Sequence, residues 1–394
     1  MTNEEFISLH LDDDVARLAL RRMPPEIDAP WCLRQISGHQ LAKTKLPTWA
    51  AVKGLHYPPR LSLEQCSGEA TAVYKCEVAL RLMPTAAGRT LLADLTGGYG
   101  VDFSYMAPLF GRALYFERQE HLCETARHNF PLLGLGNAEV ISGDSIERFG
   151  SFREHCTLVF IDPARRDTAG RKTVAIEDCT PDVTALLPRL LDRCDFVMLK
   201  LSPMLDICRA LRSLPGVAEV HVVSLRGECK ELLIVCTART MPLKFFCANL
   251  DTPDPTIMVS ADQLRAAPAI GSLAGVLYLY EPNASILKAG AQDCLCSLYG
   301  LRKLHPRSNL FVSPEPAPRF PGRTFRIVAH TDFSKRNLNT FLSGMPKANL
   351  AIRNFPSTVA ELRKRLKLKE GGSDYLFATT LSDGSHALLR CLKV

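Results

Sequence analysis

With 394 residues, 46% of them hydrophobic and 23% charged, and a net charge of +7, the chain has the make-up of a soluble globular protein. It is too long for one hydrophobic core and too apolar for intrinsic disorder. No run of eighteen apolar residues occurs, and the N-terminal MTNEEFISLHLDDD is acidic where a secretory signal is basic and then apolar. A cytoplasmic protein without a membrane partner is expected.

The fourteen cysteines are scattered and form no CxxC pair, which fits a reducing compartment. The closest two, Cys294 and Cys296, lack His or Cys neighbours at zinc spacing, so no metal is expected and the thiols are read as small buried hydrophobes. The ten histidines are dispersed and are read as structural.

Residues 1–88 show helical periodicity, as in EEFISLHLDDDVARLALRRM, broken at the proline joints MPPEIDAP and HYPPR. A helical N-terminal domain is predicted there. From Arg89 the pattern changes to short β-branched and aromatic runs alternating with helix-length segments: TLLADLT, RALYFER, AEVISGD, CTLVFIDP, CDFVMLKLS, VAEVHVVSL and ELLIVCTAR. Strands alternating with helices predict a parallel sheet covered on both faces. The last two runs are separated only by RGECK, too short for a crossover helix, and so predict an antiparallel hairpin closing a Rossmann-like sheet of seven strands over 89–240.

A proline-rich mixed segment, 241–318, then connects to a final unit, 319–394. This unit reads strand TFRIVAH, helix SKRNLNTFLSG, strand ANLAIRN, helix TVAELRKRLKL, and strands DYLFATTL and HALLRCLK across an SDG turn, a small α+β domain. It carries fourteen Lys and Arg against five Asp and Glu, a net of +9, which leaves residues 1–318 at −2. A localised basic field of this kind suits a polyanion, and Lys335, Arg336, Arg363, Lys364, Arg365 and Lys367 are its candidate RNA-binding residues.

The first strand of the sheet runs into DLTGGYG, three glycines in four positions after an acidic residue. In open α/β sheets a ligand binds beyond the carboxyl ends of the strands, and glycines there let it approach the backbone. The nicotinamide pattern GxGxxG fails, because its third glycine position is Phe103. Acidic residues follow each of the first strands instead. Asp94 precedes the loop, Glu117 ends the second strand where a carboxylate can accept both hydroxyls of a ribose, and Asp144 ends the third within reach of an adenine amino group.

On DLTGGYGVD, FIDPARRD, GRKTVAIEDC, KLSPMLDI and GECKELLIV the sequence resembles class I S-adenosylmethionine-dependent methyltransferases, and most of all a bacterial family whose members carry a THUMP-like C-terminal domain. The resemblance spans residues 60–394. It implies S-adenosylmethionine as cofactor, held by the loop Asp94, Thr96, Gly97, Gly98, Gly100 with Asp102, by Glu117 and Arg118, by Asp144 and Ser145, and by Asp162 and Pro163. It also implies RNA as partner, with Arg165 and Arg166 at the rim of the active site.

Two acceptor chemistries stay open. N-methyltransferases have a D/N-P-P motif ending in an aromatic residue, whereas Ala164 and Arg165 occupy its last two positions here, which argues against base-amine methylation. Ribosomal RNA ribose 2′-O-methyltransferases of the heat-shock type use a Lys-Asp-Lys-Glu set, and the sequence is similar in offering Lys75, Asp162, Lys200 and Glu231, with Glu228 as a substitute for the last. The expected function is therefore an RNA methyltransferase acting at a ribose 2′-hydroxyl. The alternatives are a base N-methyltransferase and a catalytically degenerate RNA-binding module on the same fold.

Overall fold

The computed structural model of the chain describes residues 1–164, 176–252 and 256–394. The chain divides into two compact units. The first comprises Met1–Glu219 and Leu232–Met241, the second Val220–Glu231 and Pro242–Val394.

Strands β1 (Leu91–Asp94), β2 (Arg112–Glu117), β3 (Ala138–Ser142), β4 (Cys156–Ile161) and β5 (Cys194–Leu201) are parallel. Every residue of β1 and β4 is buried, as expected where helices cover both faces of a sheet. β6 (Val217–Leu225) and β7 (Glu228–Cys236) follow. Between them Arg226 and Gly227 both adopt positive φ, 54° and 76°, the two-residue turn whose twist matches that of a hairpin. β7 returns antiparallel to β5, pairing Leu201 with Leu232 and Val197 with Cys236. In the order β3-β2-β1-β4-β5-β7-β6 these are the seven strands expected from the sequence, and two further strands beyond β6 extend the sheet to nine.

The N-terminal residues are helical, chiefly Asn3–His10, Ala29–Lys45 and Glu69–Leu82. Thr2 and Glu5 form a capping box on the first of these, and Asp28 caps the second, which has Pro30 in its first turn where no amide donor is needed. Phe6, Leu18, Ile27, Cys32 and Ile36 form a core of their own, but the rest of the inner face does not stand apart. Ala42, Leu46, Trp49, Leu55, Tyr57, Leu63 and Ala72 pack in one cluster with Tyr99 and Val101 of the glycine loop. The Tyr99 hydroxyl donates to the His56 carbonyl at 3.0 Å, and Asn129 clamps the same residue by donating to its carbonyl (2.9 Å) and accepting from its amide (2.8 Å).

In the second unit β8 (Lys244–Asn249) and β9 (Thr256–Ser260) form an antiparallel pair. A seven-stranded sheet follows from β10 (Tyr278–Pro282), β11 (Arg302–Lys303), β12 (Phe311–Ser313), β13 (Gly322–Thr331), β14 (Asn349–Arg353), β15 (Asp374–Thr380) and β16 (His386–Lys393), in the order β11-β12-β10-β13-β16-β15-β14. Strands before and after residue 318 share this sheet. Alternation along β15 and β16 sends Leu376, Ala378 and Leu388 to the face covered by helices Lys335–Phe341 and Val359–Leu366, and Phe377 and Leu389 to the opposite face with Leu279, Leu310 and Phe325. Among the described residues no helix is long and apolar enough to cross a membrane.

Candidate active site

Parallel strands bring their carboxyl ends to one edge, and the register of the sheet aligns Asp94, Glu117, Asp162 and Lys200 there. They line a cleft of about 620 Å³ with Thr96, Gly97, Gly98, Gly100, Arg118, Asp144, Ser145 and Pro163. The sequence-derived donor residues are thus brought together in one place.

The glycine loop is shaped by its neighbours. A Cβ on Gly97 would lie 2.2 Å from the Tyr115 ring, and one on Gly100, at φ +83°, 2.9 Å from Phe130, so side chains are excluded on steric grounds. Tyr115 fixes the loop from below by donating its hydroxyl to the Gly98 carbonyl. Glu117 fixes it from the side: one carboxylate oxygen accepts from Gly98 N at 2.8 Å and the other from Gln119 N at 2.8 Å.

Asp94 accepts from Thr96 N at 2.9 Å, and Thr96 Oγ1 in turn accepts from Asp162 N at 2.6 Å, which ties the ends of β1 and β4 together. Burial raises the Asp94 carboxyl well above its ordinary range, and the neighbouring Asp102, Asp162 and Glu117 push it the same way against the Thr96 amide. A site so crowded with carboxylates suits a cation. The sulfonium and ammonium of S-adenosylmethionine fit that demand, and the side-chain-free loop leaves the backbone open to them.

Asp144 plays a mixed part. Its Oδ1 caps the helix Ser145–Ser151 by accepting from Ile146 N and Glu147 N, while the residue also lines the cleft.

The lysines sit differently from one another. Lys200, 13% exposed at its side chain, reaches Asp162 Oδ2 at 2.6 Å and Asp102 Oδ2 at 3.6 Å inside the cleft. Lys75, on helix Glu69–Leu82, is fully buried behind the cleft wall, 3.1 Å from Asp102 Oδ1 and 3.3 Å from Ser67 Oγ. It therefore does not face the cleft, as expected of a group beside the acceptor, but is a buried ion-pair partner of Asp102. Asp102 also accepts from Ser67 Oγ at 2.7 Å. Burial pushes Asp102 up, but Lys75 and Lys200 outweigh it and hold the carboxyl below its ordinary value.

Asp102 is thus the hub of a lysine network and not simply a cofactor contact. Glu231 is buried, in the second unit. Glu228 is exposed at the hairpin tip and pairs with Lys230 at 2.7 Å, which removes it as a substitute.

One wall was not foreseen. Ser62, Glu64, Gln65, Cys66 and Ser67, in and just after helix Arg60–Gln65, also line the cleft. Lys45 holds this segment by donating to the carbonyls of Leu63 (2.9 Å) and Glu64 (2.6 Å). Burial pushes the Cys66 thiol up to about 11, so it is neutral at physiological pH.

Of the basic candidates, Lys335, Arg336, Lys364 and Arg365 are exposed on the two helices that cover one face of the second unit's sheet, and Lys367 is exposed just past the end of the second. Arg363 is corrected: it is half-buried and donates to the Ala348 carbonyl at 3.2 Å. Arg165 and Arg166 lie outside the described residues.

The sheet order, the glycine loop and the acidic strand ends define the class I methyltransferase fold. A THUMP domain-like family model matches residues 322–393, and a model for a ferredoxin-like domain matches residues 278–321. A solved structure from Porphyromonas gingivalis W83, of a protein provisionally designated a methyltransferase, is 34% identical over 100% of this chain and 97% of its own, with a TM-score of 0.86. The chain belongs to the family of that protein and is a methyltransferase. An rRNA methylase from Streptococcus thermophilus matches more distantly, at 15% identity over 42% of this chain and 96% of its own with a TM-score of 0.31. No curated protein matches the sequence.

Proposed function

We propose that the protein transfers a methyl group from S-adenosylmethionine to RNA, at a ribose 2′-hydroxyl. S-adenosylmethionine supplies an electrophilic methyl on a sulfonium and leaves as S-adenosylhomocysteine. The residues of the chain have two tasks, to hold donor and acceptor in line and to manage the acceptor's proton.

The observation that carries this reading is Lys200 Nζ at 2.6 Å from Asp162 Oδ2, in the same cleft as the glycine loop. A ribose hydroxyl is a weak acid; the Lys200 amine, held between Asp162 and Asp102, is suited to orient it and, once its own proton has passed to the Asp162 carboxylate, to receive the hydroxyl's proton. Asp94, Glu117 and Asp144 serve the donor. Lys75 serves the acceptor only by neutralising Asp102. The THUMP-like family match and the exposed basic helices support RNA as the acceptor.

Mass spectrometry of nucleosides from a deletion strain and its parent tests the acceptor atom. Loss of a 2′-O-methylated nucleoside is expected; loss of a base-methylated nucleoside alone would overturn the ribose assignment. On the purified protein Lys200→Ala is expected to abolish transfer while S-adenosylhomocysteine still binds, because the lysine serves the acceptor.

A further inference from the structure

Among the described residues the cleft is lined by six acidic side chains, Glu64, Asp94, Asp102, Glu117, Asp144 and Asp162, and by the cations Arg118 and Lys200. Such a surface repels phosphate. If RNA is the acceptor, its backbone stays outside and only an uncharged portion of it enters.

The segment 62–67 lies on the acceptor side. Ser67 Oγ donates to Asp102 at 2.7 Å, and Asp102 is 3.6 Å from Lys200 Nζ, so the segment is two contacts from the proposed proton acceptor. It is also held in place. Lys45 grips the Leu63 and Glu64 carbonyls, and Leu63 is fully buried in the N-terminal core. Within it, the Glu64 carboxylate is engaged by Arg60 at 2.7 Å, the Ser67 hydroxyl by Asp102, and the Cys66 thiol by the Leu63 carbonyl. The Gln65 side chain is exposed to the cleft, and no hydrogen bond joins it to the protein among the described residues. Its amide offers one acceptor and two donors, the complement of a nucleobase edge.

We infer that the segment Ser62–Ser67 is the acceptor-binding wall and that Gln65 selects the acceptor, a single nucleoside turned out of its RNA strand with its phosphates left outside the cleft. The inference rests on the RNA reading above. It makes the N-terminal helical residues a built part of the active site, and it explains why they share a core with the glycine loop. Unstacking a nucleotide costs a few kcal/mol, least in loops and bulges, so the target is expected in such an element.

The test uses full-length protein, tritiated S-adenosylmethionine, and total RNA from a deletion strain as acceptor. Gln65→Ala is expected to lower kcat/KM by about tenfold, the loss of one or two hydrogen bonds. Ser62→Trp, which fills the same wall, is expected to lower it further. Calorimetric titration with S-adenosylhomocysteine is expected to give affinities within about twofold of the parent for both variants, which also establishes that they fold. Parental rates in both variants, or donor affinity falling in step with rate, would overturn the assignment of the wall. Failure of the parent protein itself to methylate that RNA would overturn the RNA reading, and the inference with it.

Discussion

Asp94 combines a buried carboxyl, an acidic surround and a single amide partner, and these set its response to pH. Because its folded-state pKa is raised, the stability it lends belongs to the neutral form. That stability is complete below the unfolded value and is lost as pH rises through the folded one. Asp94→Asn keeps an oxygen for the Thr96 amide and removes the ionisation. Thermal unfolding of the ligand-free protein is therefore expected to show the variant gaining on the parent as pH rises above the unfolded carboxyl's ordinary value, a gap that grows until the folded carboxyl itself ionises. A gap independent of pH would contradict the assignment. The same variant is expected to bind S-adenosylmethionine more weakly than the parent, since a negative partner for the cation is gone. Three residues along, Gly97 has a different constraint. Its missing Cβ leaves the space filled by Tyr115, 2.2 Å from where that atom would be. Gly97→Ala is expected to displace the loop and weaken S-adenosylhomocysteine binding at least tenfold, about 1.4 kcal/mol, by calorimetry. Unchanged binding would show that the ring yields.

The helix Glu69–Leu82 delivers Lys75 to Asp102 through the packing of Ala72 and Val78, and the lysine is fully buried. Lys75→Met would strand a buried carboxylate with only Lys200 and Ser67 to hold it. A loss of stability on the order of 3 kcal/mol in urea unfolding is expected, with part regained in Lys75→Met/Asp102→Asn. If the double variant is no more stable than the single one, Asp102 is not the partner that matters. This element also marks the limit of what the sequence made legible. The strands of the sheet, the hairpin and the acidic strand ends could be read because period, β-branching and chain order encode them locally. Lys75 was legible as a lysine ahead of the glycine loop, but not its burial, which depends on Asp102 and Ser67 meeting across 35 residues of sequence. The cleft wall at 62–67 was illegible for the same reason. No periodicity reports that the end of a short helix will face strands that begin well after it. Arg363 looked like its neighbours in the run RKRLK, and only the helix's phase turned it inward to the Ala348 carbonyl.

For the whole molecule, charge and chemistry are divided. Among the described residues the cleft lining is mainly acidic, and the exposed cations Lys335, Arg336, Lys364, Arg365 and Lys367 belong to the second unit. If these cations hold the RNA backbone, affinity falls steeply with salt, each phosphate contact adding about 0.7 to 0.9 to the logarithmic slope. Filter binding with Lys364→Glu/Arg365→Glu is expected to show weaker binding and a shallower slope by roughly two contacts, while S-adenosylhomocysteine affinity stays as in the parent. An unchanged slope would remove these helices from the RNA interface.

The chain leaves the first unit at Glu219 and re-enters it at Leu232, so the last strand segment of that unit emerges from the ribosome after twelve residues that belong to the second. Until Cys236 clears the exit tunnel, the edge of β5 from Val197 to Leu201 has no β7 to pair with. An apolar strand left open in this way is a template for other chains. The interval between residues 201 and 236 is thus one in which the nascent protein is exposed to misassembly. Slower translation there, or a mutation that delays the Arg226–Gly227 turn, is expected to lower the yield of soluble protein without altering the stability of the molecules that do fold.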